Sequence, residues 1–330
     1  MTTPLELVCP AGTPAGLRTA VEAGAHSVYC GYRDETNARN FPGLNFDRAE
    51  MSDAVAFTHD HGAKILIALN TFMRAGSTDI WKRGVDDAVA AGADALILAD
   101  VGLVDYARKA HPRQRLHLSV QAAAATPEAI AFYRDRFGIA RVVLPRVLTV
   151  EEIARLTANA APCETEVFVF GGLCVMAEGR CMLSSYATGK SPNMTGVCSP
   201  PSHVTYRDEG DSLVACVGGF TVERFERGEP AGYPTLCKGR FEAQGTISHL
   251  FEDPVSLNAV ELLPRLTSVG VTAFKIEGRQ RGRAYIATVV RAFRRAIDAL
   301  ATGSRIDFDE LRALTEGQRD TVGSYKKAWR

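Results

Sequence analysis

Lys64-Ile65-Leu66-Ile67-Ala68-Leu69, followed by the helical pattern of 78–91 and then Ala95-Leu96-Ile97-Leu98-Ala99, is the stretch that decides the fold. The two apolar runs show no polar alternation, which suits parallel strands buried on both faces, and the segment between them has helical periodicity. The same unit recurs along the chain in both directions. Strands are expected at 6–9, 27–31, 64–69, 95–99, 116–120, 142–144, 166–170 and 273–276, with helices at 14–23, 48–59, 78–91, 127–136 and 150–159. Asp47, Ser77 and Thr149 stand where helix caps belong. Eight strands joined by helices predict an α/β fold, a (β/α)8 TIM-like barrel. An open doubly wound sheet begins with the same βαβ unit and is the alternative.

The alternation stops after Phe170, and 171–250 is rich in Gly, Ser, Pro, Cys and charge. Short strands are expected there at 204–207 and 213–218. The barrel pattern resumes with a helix at 256–266, the last strand and a long helix at 283–301. The chain therefore divides into the first part of the barrel (1–170), an irregular cysteine-containing insertion after strand seven (171–250), the end of the barrel (251–305), and a C-terminal helix and tail (306–330).

Apolar residues make up 46% of the 330, enough for a large core, and 38 basic residues balance 38 acidic ones. That balance does not point to a DNA- or RNA-binding or anionic-membrane surface, and a local basic patch stays open. The start, Met1-Thr2-Thr3-Pro4-Leu5-Glu6, lacks the features of a secretory leader. The longest uncharged apolar stretch, Val167 to Ala177, has 11 residues, short of a transmembrane segment. A cytoplasmic protein is expected, where eight cysteines serve as metal ligands or buried apolar groups rather than disulfides.

Four of them, Cys174, Cys181, Cys198 and Cys237, have the spacing C-x6-C-x16-C-x38-C. Structural zinc favours close C-x2–4-C pairs, and none is present. Wide spacing on an irregular loop suits a cuboidal 4Fe–4S cluster, whose corners need thiolates from different directions. The plain alternative is four unrelated buried or free cysteines. Cys9 and Cys30 fall in strands and read as core, and Cys163 and Cys216 as structural.

The string Leu173-Cys174-Val175-Met176-Ala177-Glu178-Gly179-Arg180-Cys181 resembles the hallmark of the collagenase-like peptidase family. Cys9-Pro10-Ala11-Gly12, Thr36-Asn37-Ala38-Arg39-Asn40 and Lys275-Ile276-Glu277-Gly278-Arg279 are similar to it too. The cysteine spacing resembles that of the family's ubiquinone-pathway branch. The resemblance covers nearly the whole chain and is weakest between Ser202 and Pro230. It implies an oxygen-independent ubiquinone-ring hydroxylase that carries one 4Fe–4S cluster. It further implies a heterodimer with a UbiV-like subunit, a UbiT-like lipid-binding protein, ubiquinone precursors as substrates and prephenate as hydroxyl donor. An RNA base hydroxylase of the same family and a non-catalytic, redox-sensing scaffold are the alternatives. Proteolysis finds little support, since neither G-x-S-x-G nor H-E-x-x-H occurs.

A dianionic donor needs fixed cations or helix N-termini. Lys275, Glu277 and Arg279 end the last strand, with Arg281 and Arg283 next before the long helix. The expected site holds the donor's carboxylates on Lys275, Arg279 and Arg281, with Glu277 orienting one of them by an ion pair. The alternative is a solvated basic turn. Arg146 and Asn70, just past strands six and three, are further substrate-binding candidates, since strand ends line a barrel's mouth. Asp100 past strand four is either such a residue or a helix cap. Glu178 and Arg180 tune the cluster, touch substrate or pair locally. Arg291, Arg294 and Arg295 read as the wet face of the long helix.

Overall fold

The computed structural model describes residues 5–41, 43–174, 181–190, 192, 198–229, 231–304, 315 and 320–326. Strands and helices alternate through β1 (Glu6–Pro10), α1 (Pro14–Glu22), β2 (Ser27–Cys30), α2 (Arg48–Asp60), β3 (Lys64–Leu69), α3 (Asp79–Ala90) and β4 (Ala95–Leu98). The pattern continues with α4 (Val101–Ala110), β5 (Leu116–Leu118), α5 (Pro127–Phe137), β6 (Arg141–Val143), α6 (Val150–Ala160) and β7 (Glu164–Gly172). After β7 come α7 (Met182–Thr188) and an antiparallel sheet of β8 (Val204–Glu209), β9 (Ser212–Val217) and β10 (Phe220–Phe225). A hairpin of β11 (Arg240–Ala243) and β12 (Thr246–His249) follows. The last described elements are β13 (Ser256–Asn258), α8 (Leu263–Ser268), β14 (Ala273–Ile276), α9 (Arg283–Thr302) and β15 (Asp320–Thr321). Strand β14 pairs in parallel with both β1 and β7, so the sheet closes into a barrel and the open-sheet alternative falls.

Local chemistry explains most boundaries. Asp47 and Thr149 each form a capping box, with Glu50 and Glu152. Ser77 does not cap α3: Thr78 takes the cap position and makes no side-chain bond to the helix. Helix α4, capped by Asp100, joins the expected set. The helix expected at 256–266 is corrected. Residues Ser256, Leu257 and Asn258 instead pair antiparallel with Gly172, Gly171 and Phe170. Pro264 then sits in the first turn of α8, where its ring and missing N–H bar the helix from extending backwards. The C-terminal helix expected within 306–330 lies largely outside the described residues. Its described part holds β15, which pairs with β13, and buried Tyr325, which donates its hydroxyl to Phe168 O.

The barrel interior is chemically two-sided. Val8, Tyr29, Leu66, Ala68, Ala95, Ile97 and Ala273 form one buried apolar cluster, distinct from the core between barrel wall and helices. On the other side, Arg141 donates to Glu6 at 2.6 Å, Glu164 at 2.8 Å and Glu166 at 3.3 Å. Lys275 Nζ donates to the other Glu166 oxygen at 2.6 Å. Burial alone would lower the Arg141 pKa, but its carboxylate partners outweigh that and raise it. A buried network of this kind is costly to break from one side, about 3–5 kcal/mol for a lost partner.

His117 faces this network from β5 and is 2% exposed. Its Nε2 accepts Arg115 Nε–H at 3.0 Å, so the neutral ring carries its proton on Nδ1. Burial, then the charges of Arg141, Arg115, Lys275 and Lys64, hold its pKa well below 6.5. As pH falls below 6.5 the unfolded chain binds a proton here that the native state does not, so stability declines. This one site is expected to contribute a slope of up to about 1.4 kcal/mol per pH unit. Urea unfolding between about pH 7.5 and 5.5 checks it, because His117→Gln should show a shallower loss than the wild type. Equal slopes would contradict the assignment.

Candidate functional site

At the C-terminal mouth of the barrel a cavity of about 50 Å³ opens between the strand ends. Four cations line it, Arg39, Arg146, Lys275 and Arg279, against one carboxylate, Glu277. Asn70, Ser119 and Gln121 supply neutral polar groups, and Tyr29 and Phe168 the apolar floor. The Tyr29 hydroxyl donates to Ile276 O at 2.9 Å, which fixes the ring; Lys275 Nζ stands 3.9 Å and the Arg279 guanidinium 5.4 Å from its centre. The structure thus brings Asn70, Arg146, Lys275, Glu277 and Arg279 together around one cavity.

The two buried cations at the end of β14 differ. Lys275 is matched by Glu166, though burial still lowers its pKa. Arg279 is 7% exposed and, among the described residues, pairs with no carboxylate. Its Nη1 donates to the neutral Asn37 Oδ1 at 2.8 Å, and burial pulls its pKa down to about 10. Such a guanidinium favours an anion beside it. Asn37 is fully buried and also accepts the Arg39 N–H at 3.0 Å, so one side chain sets both arginines. Gly12 explains the Cys9-Pro10-Ala11-Gly12 opening. A Cβ there would lie 1.8 Å from Arg279 O, so only glycine lets this backbone approach the turn.

Other candidates take different places. Glu277 forms no ion pair with an arginine among the described residues; its carboxylate accepts the Gly172 N–H at 3.1 Å. Arg146 donates to Gly172 O and lies 4.5 Å over the Phe168 ring. Together they clamp the peptide at the root of the insertion, two residues before Cys174. Arg281 is exposed, 5.2 Å from the Tyr285 ring, and lies outside the cavity lining. Arg283 is exposed as well. Asp100 caps α4 through Leu103 N–H at 3.0 Å and accepts Met73 N–H at 3.2 Å. Arg294 is not on a wholly wet face, since it pairs with Asp298 and donates to Gly24 O at 3.2 Å. Glu178 and Arg180 lie outside the described residues.

The four insertion cysteines are gathered from separate segments. Cys174 follows β7, and Cys181 caps α7, its sulfur accepting Ser184 N–H at 3.4 Å. The Ser184 hydroxyl donates to Cys198 O, and Tyr233 donates to Ser199 O at 2.8 Å. Cys237 sits in a 3-10 turn, Leu236–Lys238, and its carbonyl accepts Glu252 N–H at 3.0 Å. Surrounding protein pushes the Cys198 thiol pKa up although the residue keeps exposed surface; Arg39 opposes this and the Cys174 and Cys181 thiols add to it. Burial, then Cys198, pushes Cys237 up to about 11. The four thiols are therefore electrostatic neighbours, and Arg39, which lines the cavity, acts on Cys198. Among the described residues no three His, Cys, Asp or Glu side chains converge as a single metal ion demands. A cuboidal cluster asks for something else, one thiolate at each of four separated iron corners, and four cysteine thiols fit that donor set. Cys9, Cys30, Cys163 and Cys216 are buried.

Arg39, Gln121, Asn37 and Glu166 are site residues that the strand-end reasoning passed over. The signal for Glu166 and Arg141 was a charge inside an otherwise apolar strand. For Arg39 and Asn37 it was the quoted segment Thr36-Asn37-Ala38-Arg39-Asn40. No helix among the described residues is long and apolar enough to cross a membrane.

Comparison with known proteins agrees with the shared motifs. The tRNA hydroxylation protein P of Escherichia coli strain K12 is 31% identical over 94% of this chain and 71% of its own length. The 23S rRNA 5-hydroxycytidine C2501 synthase of the same strain is 29% identical over 90% of this chain, which spans only 40% of that protein. Among solved structures, the U32 peptidase Mk0906 aligns over 51% of this chain and 70% of its own, at 20% identity and a TM-score of 0.43. The sequence pattern of peptidase family U32 matches residues 12–324, and the chain belongs to that family.

Proposed function

We propose that this chain is a UbiU-like iron–sulfur subunit of an oxygen-independent ubiquinone-ring hydroxylase, with prephenate as hydroxyl donor. The observation that carries the reading is a buried Arg279 that pairs with no carboxylate among the described residues, in a cavity lined by four cations, one of which, Arg39, acts on the neighbouring thiols. Cys174, Cys181, Cys198 and Cys237 would hold a 4Fe–4S cluster, which supplies one-electron chemistry when bound. The chain's own residues do the rest. Arg279, held by Asn37, and Lys275, held by Glu166, bind the donor's carboxylates. Tyr29 and Phe168 keep water from beneath it, and the Glu277–Gly172–Arg146 clamp ties the thiol-bearing insertion to the cavity.

A UbiV-like subunit, with a UbiT-like lipid-binding protein delivering ubiquinone precursors, completes the proposed system. Exposed Met182, Tyr186, Phe220 and Tyr233 on the insertion give a partner apolar surface to cover. Separate elution of the two co-expressed proteins in oxygen-free size-exclusion chromatography would count against the pair.

A second reading, RNA base hydroxylation, is favoured by the names of the relatives. The balanced charge of 38 against 38 favours the quinone reading, because RNA binding draws on a basic surface. Quinone analysis of cells lacking the protein, grown with and without oxygen, separates the two. The expected result is loss of ubiquinone only without oxygen, with hydroxylated nucleosides unchanged. Normal ubiquinone in both conditions, with a hydroxylated nucleoside missing, would replace the quinone reading by the RNA one.

A further inference from the structure

Among the cavity groups unused by the reading above, Gln121 stands apart. Gln121 lies in the 3-10 turn Val120–Ala122 directly after β5, where the Ser119 hydroxyl accepts its backbone N–H at 3.3 Å. Its side chain lines the cavity, the residue is only 7% exposed, and its buried Oε1 has no hydrogen-bond partner among the described residues. Four cations line the same small space, yet none donates to it. A buried amide oxygen left without a donor is costly, so a ligand that brings one gains by it. The cations call for a carboxylate, which only accepts. With its carboxylates on the cations, a ligand meets the amide only through a different group, and a hydroxyl is the smallest group that donates.

We infer that Gln121 is a specificity-determining residue that reads a hydroxyl group, so that the cavity takes hydroxy-carboxylic acids in preference to carboxylic acids of the same frame. This rests on the carboxylate reading of the cavity and adds to it the group that distinguishes one acid from another. Amide and guanidinium divide the work: Arg279 and Lys275 supply attraction, which any small acid satisfies, and Gln121 supplies selection. A site built to accept a hydroxyl proton penalises the ligand that lacks it, because the amide then stays buried and unpaired.

The test uses two probe pairs that differ by one hydroxyl, tartronate against malonate and 4-hydroxybenzoate against benzoate, covering short and long spacing between the groups. Binding to the full-length, anaerobically purified protein is measured by calorimetry, with iron content recorded for each preparation. The wild type should favour the hydroxylated member of at least one pair by about tenfold. Gln121→Met should lose that preference while keeping its affinity for the plain acid and its iron. Arg279→Ala should weaken both members alike. Equal binding within both pairs by the wild type, or a preference that survives Gln121→Met, overturns the role of Gln121 and leaves the carboxylate reading standing. If none of the four acids binds, or if they bind undiminished to Arg279→Ala, the carboxylate reading itself falls and this inference falls with it.

Discussion

Arg279→Ala is expected to abolish most oxygen-independent hydroxylation while leaving iron content and folding intact. The guanidinium is buried, its described side-chain hydrogen bond goes to neutral Asn37, and it lines the cavity. A charge-assisted bond to a carboxylate is worth about 1.5–3 kcal/mol, so losing it should cost roughly ten- to a hundredfold in rate. Folding should survive because Asn37 Oδ1 keeps the Arg39 N–H and its Nδ2 still donates to Tyr32 O at 3.1 Å and Asn45 Oδ1 at 2.9 Å. Arg291→Ala, exposed on α9, is the appropriate control, since Arg294 makes contacts of its own. A fully active Arg279→Ala would place the donor elsewhere. A variant that loses its iron or precipitates would make Arg279 a structural residue.

Replacing any one of Cys174, Cys181, Cys198 or Cys237 by Ala is expected to lower iron and acid-labile sulfide together and to remove activity. Each would supply one of the four thiolates that a cubane cluster takes. Cys163→Ala and Cys216→Ala should keep both, as these buried residues lie just before β7 and in strand β9 respectively and are not among the four spaced thiols. Metal analysis of the six variants checks this. Loss of iron from Cys216→Ala, or none from Cys198→Ala, would require a different ligand set.

The barrel was legible because its strands are buried on both faces. Runs such as Lys64–Leu69 and Ala95–Leu98 have no polar alternation to confuse them with surface strands. The segment at 256–266 misled because Leu257, Val260, Leu263 and Leu266 recur at helical spacing. Tertiary pairing with β7 overrides that period, and Pro264 fixes where the helix starts. Strand-end positions pointed to Asn70, Arg146, Lys275 and Arg279, since strand ends converge geometrically at the mouth. Partners brought in from other strands were not legible. Glu277 points at the Gly172 peptide rather than at an arginine, a choice made by the β7–β14 pairing across 105 residues. Gln121 follows the expected strand 116–120 as Asn70 follows 64–69, but nothing in Val120-Gln121-Ala122 shows that its amide is buried until the turn is built.

The central claim, that four thiols at the barrel mouth hold one cubane, is tested most directly by iron and acid-labile sulfide analysis of the anaerobically purified wild-type protein. The account predicts a brown protein with about four iron and about four sulfide per chain. A colourless protein with one tightly bound zinc and no sulfide would contradict it.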